Sequence, residues 1–114
     1  MAQLTVQDMS ASGLSPSYTA ADSGGDSFVW GRYAFVHVKN DDSGEHTVTI
    51  TEQHDSAPAG YQEVDLSVAV PAGEERMIGP LDREAYQDPD GLVQMSYDAV
   101  TSVTVAAIEL PANR

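Results

Sequence analysis

The sequence contains no cysteine. Disulfide bonds and thiolate metal sites are therefore excluded, and cysteine usage does not indicate a redox compartment. No apolar run approaches the ~18 residues needed to cross a bilayer, and the N-terminus lacks the basic, apolar and small-residue order of a signal peptide. Nothing in the sequence predicts that the chain enters or crosses a membrane.

Basic residues are scarce as well. Five Lys and Arg stand against 18 Asp and Glu, giving a formal net charge of -13, and Lys39 is the only lysine. Direct binding of nucleic acid is not expected, because it depends on clusters of basic residues. At molar salt the Debye length falls to about 3 Å, which screens most of the self-repulsion of so acidic a chain. The composition favours a protein of saline cytoplasm; an ordinary acidic surface is the alternative.

Motifs of reaction chemistry are also missing. There is no GxSxG elbow and no Gly-rich phosphate loop between a strand and a helix. The three histidines, His37, His46 and His54, are interpreted as satisfied structural or surface imidazoles. Residues 88–91, Asp-Pro-Asp-Gly, resemble the opening of a calcium loop but lack its later ligands. The sequence therefore predicts a plain turn there, no metal or cofactor, and no enzyme activity.

What the sequence does contain is a series of short alternating segments. Val48 and Ile50 alternate with threonines in TVTIT, which is typical of an antiparallel strand with one wet face. Residues 67–81 predict a buried strand, a tight turn, a second strand in which Met77 and Ile78 return to the core, and a Gly-Pro break. Residues 40–44 predict a hairpin turn.

These segments predict one all-β domain over residues 1–114. About seven or eight short strands, and no helix beyond one turn at residues 81–86, favour a small antiparallel β-sandwich or a jelly-roll-like barrel. Residues 28–38 form the longest predicted strand, in which Gly31 indicates a bulge or bend. Trp30, the only tryptophan, either anchors the core or lies at an interface.

Residues 8–27 are a Ser-, Gly-, Ala- and Asp-rich stretch without a period. Loops this long in a compact domain are usually binding loops, arms or linkers, so an arm is predicted. Its sizeable apolar residues, Leu14 and Tyr18, either attach it to its own domain or to a neighbour.

Residues 28–110 resemble small proteins encoded among the structural genes of tailed bacteriophages and haloarchaeal tailed viruses. The motif VPAGE-x-R-x-IGP covers residues 70–80, and a tyrosine and a D-x-DG turn follow it. The V-x-x-x-Y strand is residues 93–97, the closing TSVTVA strand is residues 101–106, and GR-x-x-x-x-VKN begins upstream at Gly31. These motifs consist mostly of turn and core residues, so they indicate fold more than role.

The resemblance implies a virion protein, most plausibly a decoration protein seated on the head shell. Its implied partners are the major capsid protein or other virion proteins and further copies of itself, and its implied location is the virion of a halophile's virus. A neck, tail or host-surface-binding module of such a virion is the alternative. A non-viral binding domain or an enzyme subunit forms a third class.

Five residues are predicted to face a partner: Leu14, Tyr18, Phe28, Val29 and Trp30. Residues 28–30 have a second interpretation, as the start of a core strand.

Overall fold

The computed structural model describes residues 2–53 and 65–110. These residues form ten strands and one helical turn, and within them no helix is long and apolar enough to span a bilayer. The elements are β1 (Ala2–Gln3), β2 (Val6–Asp8), β3 (Thr19–Ala20), β4 (Asp26–Val29), β5 (Ala34–Asn40), β6 (His46–Ile50), β7 (Leu66–Val70), β8 (Glu75–Ile78), α1 (Arg83–Tyr86), β9 (Leu92–Tyr97) and β10 (Val103–Glu109).

The strands form two sheets, as expected for a small β-sandwich. The first sheet has the order β1-β4-β9-β6-β7; the second has the order β2-β10-β5-β8, with β3 also pairing with β10. The all-β prediction is confirmed, but both sheets are mixed rather than purely antiparallel, because β1 pairs parallel to β4 and β2 parallel to β10. The extra strands are the two- and three-residue ones near the N-terminus, which are too short to show a period in sequence.

The core lies between the sheets and follows the predicted alternation. In β6 the side chains of Val48 and Ile50 are buried, while the threonines between them are half-buried. Val36 and Val38 of β5 and Val105 of β10 face them from the second sheet. Alternate residues thus supply one apolar face per strand, which is the period-2 pattern that a sandwich requires.

The predicted single strand at residues 28–38 is wrong, because the chain changes sheets within it. β4 belongs to the first sheet and β5 to the second, with Gly31 between them. A Cβ at Gly31 would lie 2.3 Å from Glu109 Oε2 and 3.2 Å from the Cβ of Ala34. The expected bend at this glycine is therefore present, and it is large enough to end one strand and begin another in the opposite sheet.

The predicted hairpin at residues 40–44 is also wrong, since it joins β5 to β6 in different sheets. Asn40 is fully buried at this corner. Its Nδ2 donates to the carbonyls of Gly44 (2.8 Å) and Val70 (2.9 Å), and its Oδ1 accepts from the N–H of Asp42 (3.0 Å). The turn residues were recognised correctly, but they connect two sheets instead of two paired strands.

Residues 67–81 form the predicted strand, turn and strand, with β7 in the first sheet and β8 in the second. Glu74 N–H donates to the carbonyl of Pro71 (3.1 Å) and closes the turn. Ile78 is buried as predicted, but Met77 is 65% exposed, which corrects the prediction that both return to the core. The part of the predicted strand at residues 61–64 lies outside the described residues, as does His54.

Candidate interaction surfaces

The predicted arm is folded onto its own domain. The side-chain amide of Gln7 donates to the carbonyl of Ser17 and accepts from the N–H of the same residue, both at 2.9 Å. Further along, β3 pairs with β10, and Ala21 is buried in the core. Residues 8–27 are thus tied to the second sheet at several points, and Leu14 is half-buried within them.

Tyr18 reaches from this segment across to β5. Its hydroxyl is hydrogen-bonded to His37 Nδ1 at 2.7 Å, and the two rings meet edge to face with centroids 5.5 Å apart. Lys39 Nζ lies 4.2 Å from the centroid of the Tyr18 ring, within the range of a cation–π contact. Of the two alternatives for Tyr18, attachment to its own domain is the one that these contacts support.

The three residues 28–30 point in different directions. Phe28 is only 1% exposed and belongs to the core, so in this structure it presents no surface to a partner. Trp30 packs against the core, and its indole N–H donates to the carbonyl of Leu81 at 2.9 Å. Val29 is 51% exposed on the outer face of the first sheet. The partner-facing prediction therefore narrows to Val29 among these three.

The two described histidines form carboxylate pairs. His37 is buried, and its Nε2 lies 2.5 Å from Glu75 Oε1. His46 Nε2 lies 2.9 Å from Asp42 Oδ2, and its Nδ1 lies 3.4 Å from Asp98 Oδ1. The hydrogen bond from Asp42 raises the pKa of His46, against a lowering by burial, and Asp98 adds to the rise. These partners support the structural interpretation of both imidazoles.

Potential metal sites were sought among the carboxylates and histidines. Residues 2–53 and 65–110 bring together no group of three or more such side chains able to hold an ion. At the calcium-like turn, Asp88 Oδ1 accepts from the N–H groups of Asp90 (2.9 Å) and Leu92 (2.8 Å), and Oδ2 accepts from Gln94 Nε2 (2.8 Å). The carboxylate stabilises its own turn, as in a plain Asx turn.

Sequence reasoning missed one buried charged group. Asp26 in β4 is fully buried, and its Oδ2 accepts from the hydroxyl of Tyr97 (2.6 Å) and from the N–H of Asp22 (3.2 Å). Burial and the neighbouring Asp26 carboxylate raise the pKa of Tyr97 well above its usual value. A signal was available: Asp26 alternates with Phe28 on the face that points inward.

A cleft of about 400 Å³ lies beside β10, between the N-terminal strands and β3. Its lining contains side chains from Gln3, Thr5, Gln7, Ser17 and Thr19, and no ionisable group. The residues with shifted pKa values, such as His46 and Tyr97, therefore lie elsewhere. An enzyme site is expected to combine a concave pocket with perturbed titratable groups, and this cleft does not combine them.

Three large apolar side chains are exposed together at one end of the second sheet. Met9 follows β2, Leu110 follows β10 and Tyr33 precedes β5, and these three strands are neighbours. Met9 N–H donates to the carbonyl of Glu109 (2.9 Å), and Leu110 N–H donates to that of Tyr33 (3.2 Å). Their exposed fractions are 38%, 45% and 39%. We call these three residues the apolar row.

Comparison of the chain with protein-family models, with curated proteins and with solved structures finds no match. The functional conclusion consequently depends on the chain's own surfaces and on the motifs in its sequence.

Proposed function

We propose that this chain is a non-catalytic structural protein of a tailed-virus particle, seated on the head shell as a decoration protein. The observation that carries the proposal is the apolar row, Met9, Tyr33 and Leu110, which is exposed across three adjacent strands. Exposed apolar residues that occur singly need no explanation, but contiguous ones mark interaction sites. The sequence resemblance over residues 28–110 supplies the kind of assembly in which such a surface is used.

The rest of the molecule suits this role. A decoration protein needs a stiff body that projects a docking surface, and a sandwich with its N-terminal segment folded back onto the second sheet provides one. The net charge of -13 keeps particles apart and soluble. In this proposal the major capsid protein contacts the apolar row, and many symmetric copies make a modest interface effective through multivalency.

The test is co-sedimentation of the purified chain with head shells that lack it, in molar KCl. Leu110→Ser and Tyr33→Ser should reduce the bound fraction several-fold, because each removes apolar area from the row. Met77→Ser is the matched control, since Met77 is the most exposed large apolar residue at 65% and lies on β8, away from the row.

Two results would contradict the proposal. One is binding of the wild-type chain to isolated tails or to cell envelopes instead of shells, which would favour the neck, tail or host-surface alternative. The other is equal loss of shell binding in all three variants, which would show that the row has no specific role. Circular dichroism establishes that each variant remains folded.

A further inference from the structure

The outer face of the first sheet carries no charged side chain within its four longer strands. In β4, β6, β7 and β9 one set of alternating residues points into the sandwich, and the other set points outward. The outward set contains only hydroxyl, amide and small or branched apolar side chains. We call it the uncharged face, and it comprises Ser27, Val29, Thr47, Thr49, Ser67, Ala69, Leu92, Gln94 and Ser96.

Strand register makes this face continuous. Thr49 lies opposite Ser67 on one side and opposite Ser96 on the other. Val29 pairs with Leu92 at the β4–β9 border. Residues paired in register lie on the same face of a sheet, so the uncharged side chains cover four adjacent strands without interruption.

Carboxylates are confined to the rim of this face, and the chain's own donors hold them there. Asp98, which directly follows β9, accepts from the N–H of Thr47 through Oδ1 (3.0 Å). Asp65, which directly precedes β7, accepts from the N–H of Glu52 (2.8 Å). Eighteen acidic residues in the chain therefore leave this whole surface free of charge.

The two outer faces of the sandwich differ in a second way. On the second sheet, Tyr18 extends over His37 and lies against Lys39, and Gln7 is bonded to Ser17. The buried Ile108 alternates with the core residue Ala107 and points to that outer side. On the first sheet Ser67, Ala69 and Ser96 remain exposed, so the uncharged face has no comparable cover.

We propose that the uncharged face is a self-association surface through which two copies of this chain pack face to face. The argument is electrostatic. Two chains of charge -13 that meet elsewhere must bring carboxylates together, and desolvating charges costs much more than desolvating hydroxyl groups. Small Ser, Thr and Ala side chains also let two sheets approach to the ~10 Å spacing of stacked sheets. A second copy is thus the occupant that this composition fits.

The size of the face sets the strength of the pair. Four strands about 4.8 Å apart and five residues of about 3.3 Å each give a face of roughly 14 by 16 Å. That is well below the ~800 Å² per partner of a typical stable interface. We therefore expect a weak, concentration-dependent dimer, and one strengthened by salt, because molar KCl screens the rim carboxylates. This inference does not depend on the virion assignment.

The test is sedimentation velocity of the full chain across concentrations up to the millimolar range, in dilute buffer and in molar KCl. The wild-type chain should shift from monomer toward dimer as concentration and salt rise. Thr49→Glu places a carboxylate at the centre of the face and should abolish the shift. Thr101→Glu is the matched control, since Thr101 is an exposed turn residue outside the face, and it should behave as wild type.

Ser96→Glu serves as a second variant if Thr49→Glu disturbs folding, which circular dichroism reports. A wild-type chain that stays monomeric at millimolar concentration in molar KCl would overturn the proposal. So would a folded Thr49→Glu or Ser96→Glu chain that dimerises as strongly as the control. Shell binding does not enter this measurement, so failure of the proposed function and failure of the dimer are separable.

Discussion

The side-chain amide of Asn40, at the end of β5, donates to the carbonyl of Val70, at the end of β7, over 2.9 Å. The two residues belong to different sheets, and both are fully buried at 0% exposure. Asn40 N–H also donates to the carbonyl of Glu74 (2.9 Å). One asparagine thus joins the corner between β5 and β6 to the corner between β7 and β8.

Replacing this asparagine should be costly. Asn40→Ala leaves the carbonyls of Gly44 and Val70 and the N–H of Asp42 without their partner. Unsatisfied buried polar groups destabilise proteins, so we expect a loss of about 2–3 kcal/mol in the free energy of unfolding. Urea unfolding in molar KCl measures it. Asp41→Ala, at the exposed neighbouring position, should change stability by less than about 0.5 kcal/mol; an equal loss in both variants would contradict the assignment.

Tyr97 supplies the hydroxyl that satisfies the buried carboxylate of Asp26. Tyr97→Phe should destabilise the fold by roughly 1.5–3 kcal/mol, the range for hydrogen bonds to charged groups. Tyr33→Phe, at an exposed tyrosine, is the control and should be nearly neutral. Because the pKa of Tyr97 is raised, a spectrophotometric titration should also show one of the five tyrosines ionising only when the chain unfolds. Normal ionisation of all five in the folded chain would refute this.

His46 should make stability depend on pH. The Asp42 hydrogen bond raises the pKa of His46 in the folded chain, so the protonated form is favoured by folding. This stabilisation is complete below the unfolded pKa of about 6.5 and is lost as pH rises through the raised folded value. His46→Asn should therefore lose most stability, relative to wild type, in mildly acidic solution and less at alkaline pH.

The partners of His46 give the opposite limb. The hydrogen bond to His46 lowers the pKa of Asp42, and the N–H of Thr47 lowers that of Asp98. Their contributions are present above the unfolded pKa of about 3.9 and are lost as pH falls through the lowered values. Urea midpoints of wild type and His46→Asn from pH 4 to pH 9 test both limbs, with the numbers here marking roughly the span set by those reference values. A difference that is constant with pH would contradict the pairing.

Gly79 should not tolerate a side chain. Its φ is +134°, and a Cβ there would lie 2.8 Å from the Cβ of Phe35 and 3.1 Å from the carbonyl oxygen of Ala34. Gly79→Ala should therefore cost roughly 1–3 kcal/mol, as overpacking does. Gly44→Ala is the matched control, because a Cβ at Gly44 meets nothing within 4 Å. Differential scanning calorimetry should show a lower melting temperature for the first variant only.

Salt should stabilise the chain. A net charge of -13 on 114 residues repels itself in dilute buffer, and molar KCl screens this repulsion. The melting temperature should therefore rise between low and molar KCl. A melting temperature that does not rise would favour the alternative of an ordinary acidic surface.

Several features could be predicted from sequence because they depend on neighbours along the chain. The alternation of Val48 and Ile50 with threonines identified β6 and its buried face. The turn chemistry at residues 71–74 and 88–91 identified both turns. The absence of long helices followed from the short apolar periods, so the all-β class was predictable as well.

Other features depended on where the chain goes after each turn. Turn residues such as Asn40 and Gly31 predict a change of direction, but they do not say whether the next strand pairs with the last or joins the other sheet. Exposure was also hidden: Met77 was expected inside and lies outside, because β8 is an edge strand of only four residues. The apolar row combines residues from three separate segments and has no sequence signature.

The sequence alone determined the all-β class, the acidic surface and the alternating faces of the longer strands, since charge count and period-2 burial are properties of local composition. Only the tertiary structure decided which strands became neighbours, which placed Met9, Tyr33 and Leu110 side by side and brought uncharged residues from four strands onto one surface. The physical reason is that strand pairing joins residues distant in sequence, so a surface assembled across strands forms only after the sheets have formed.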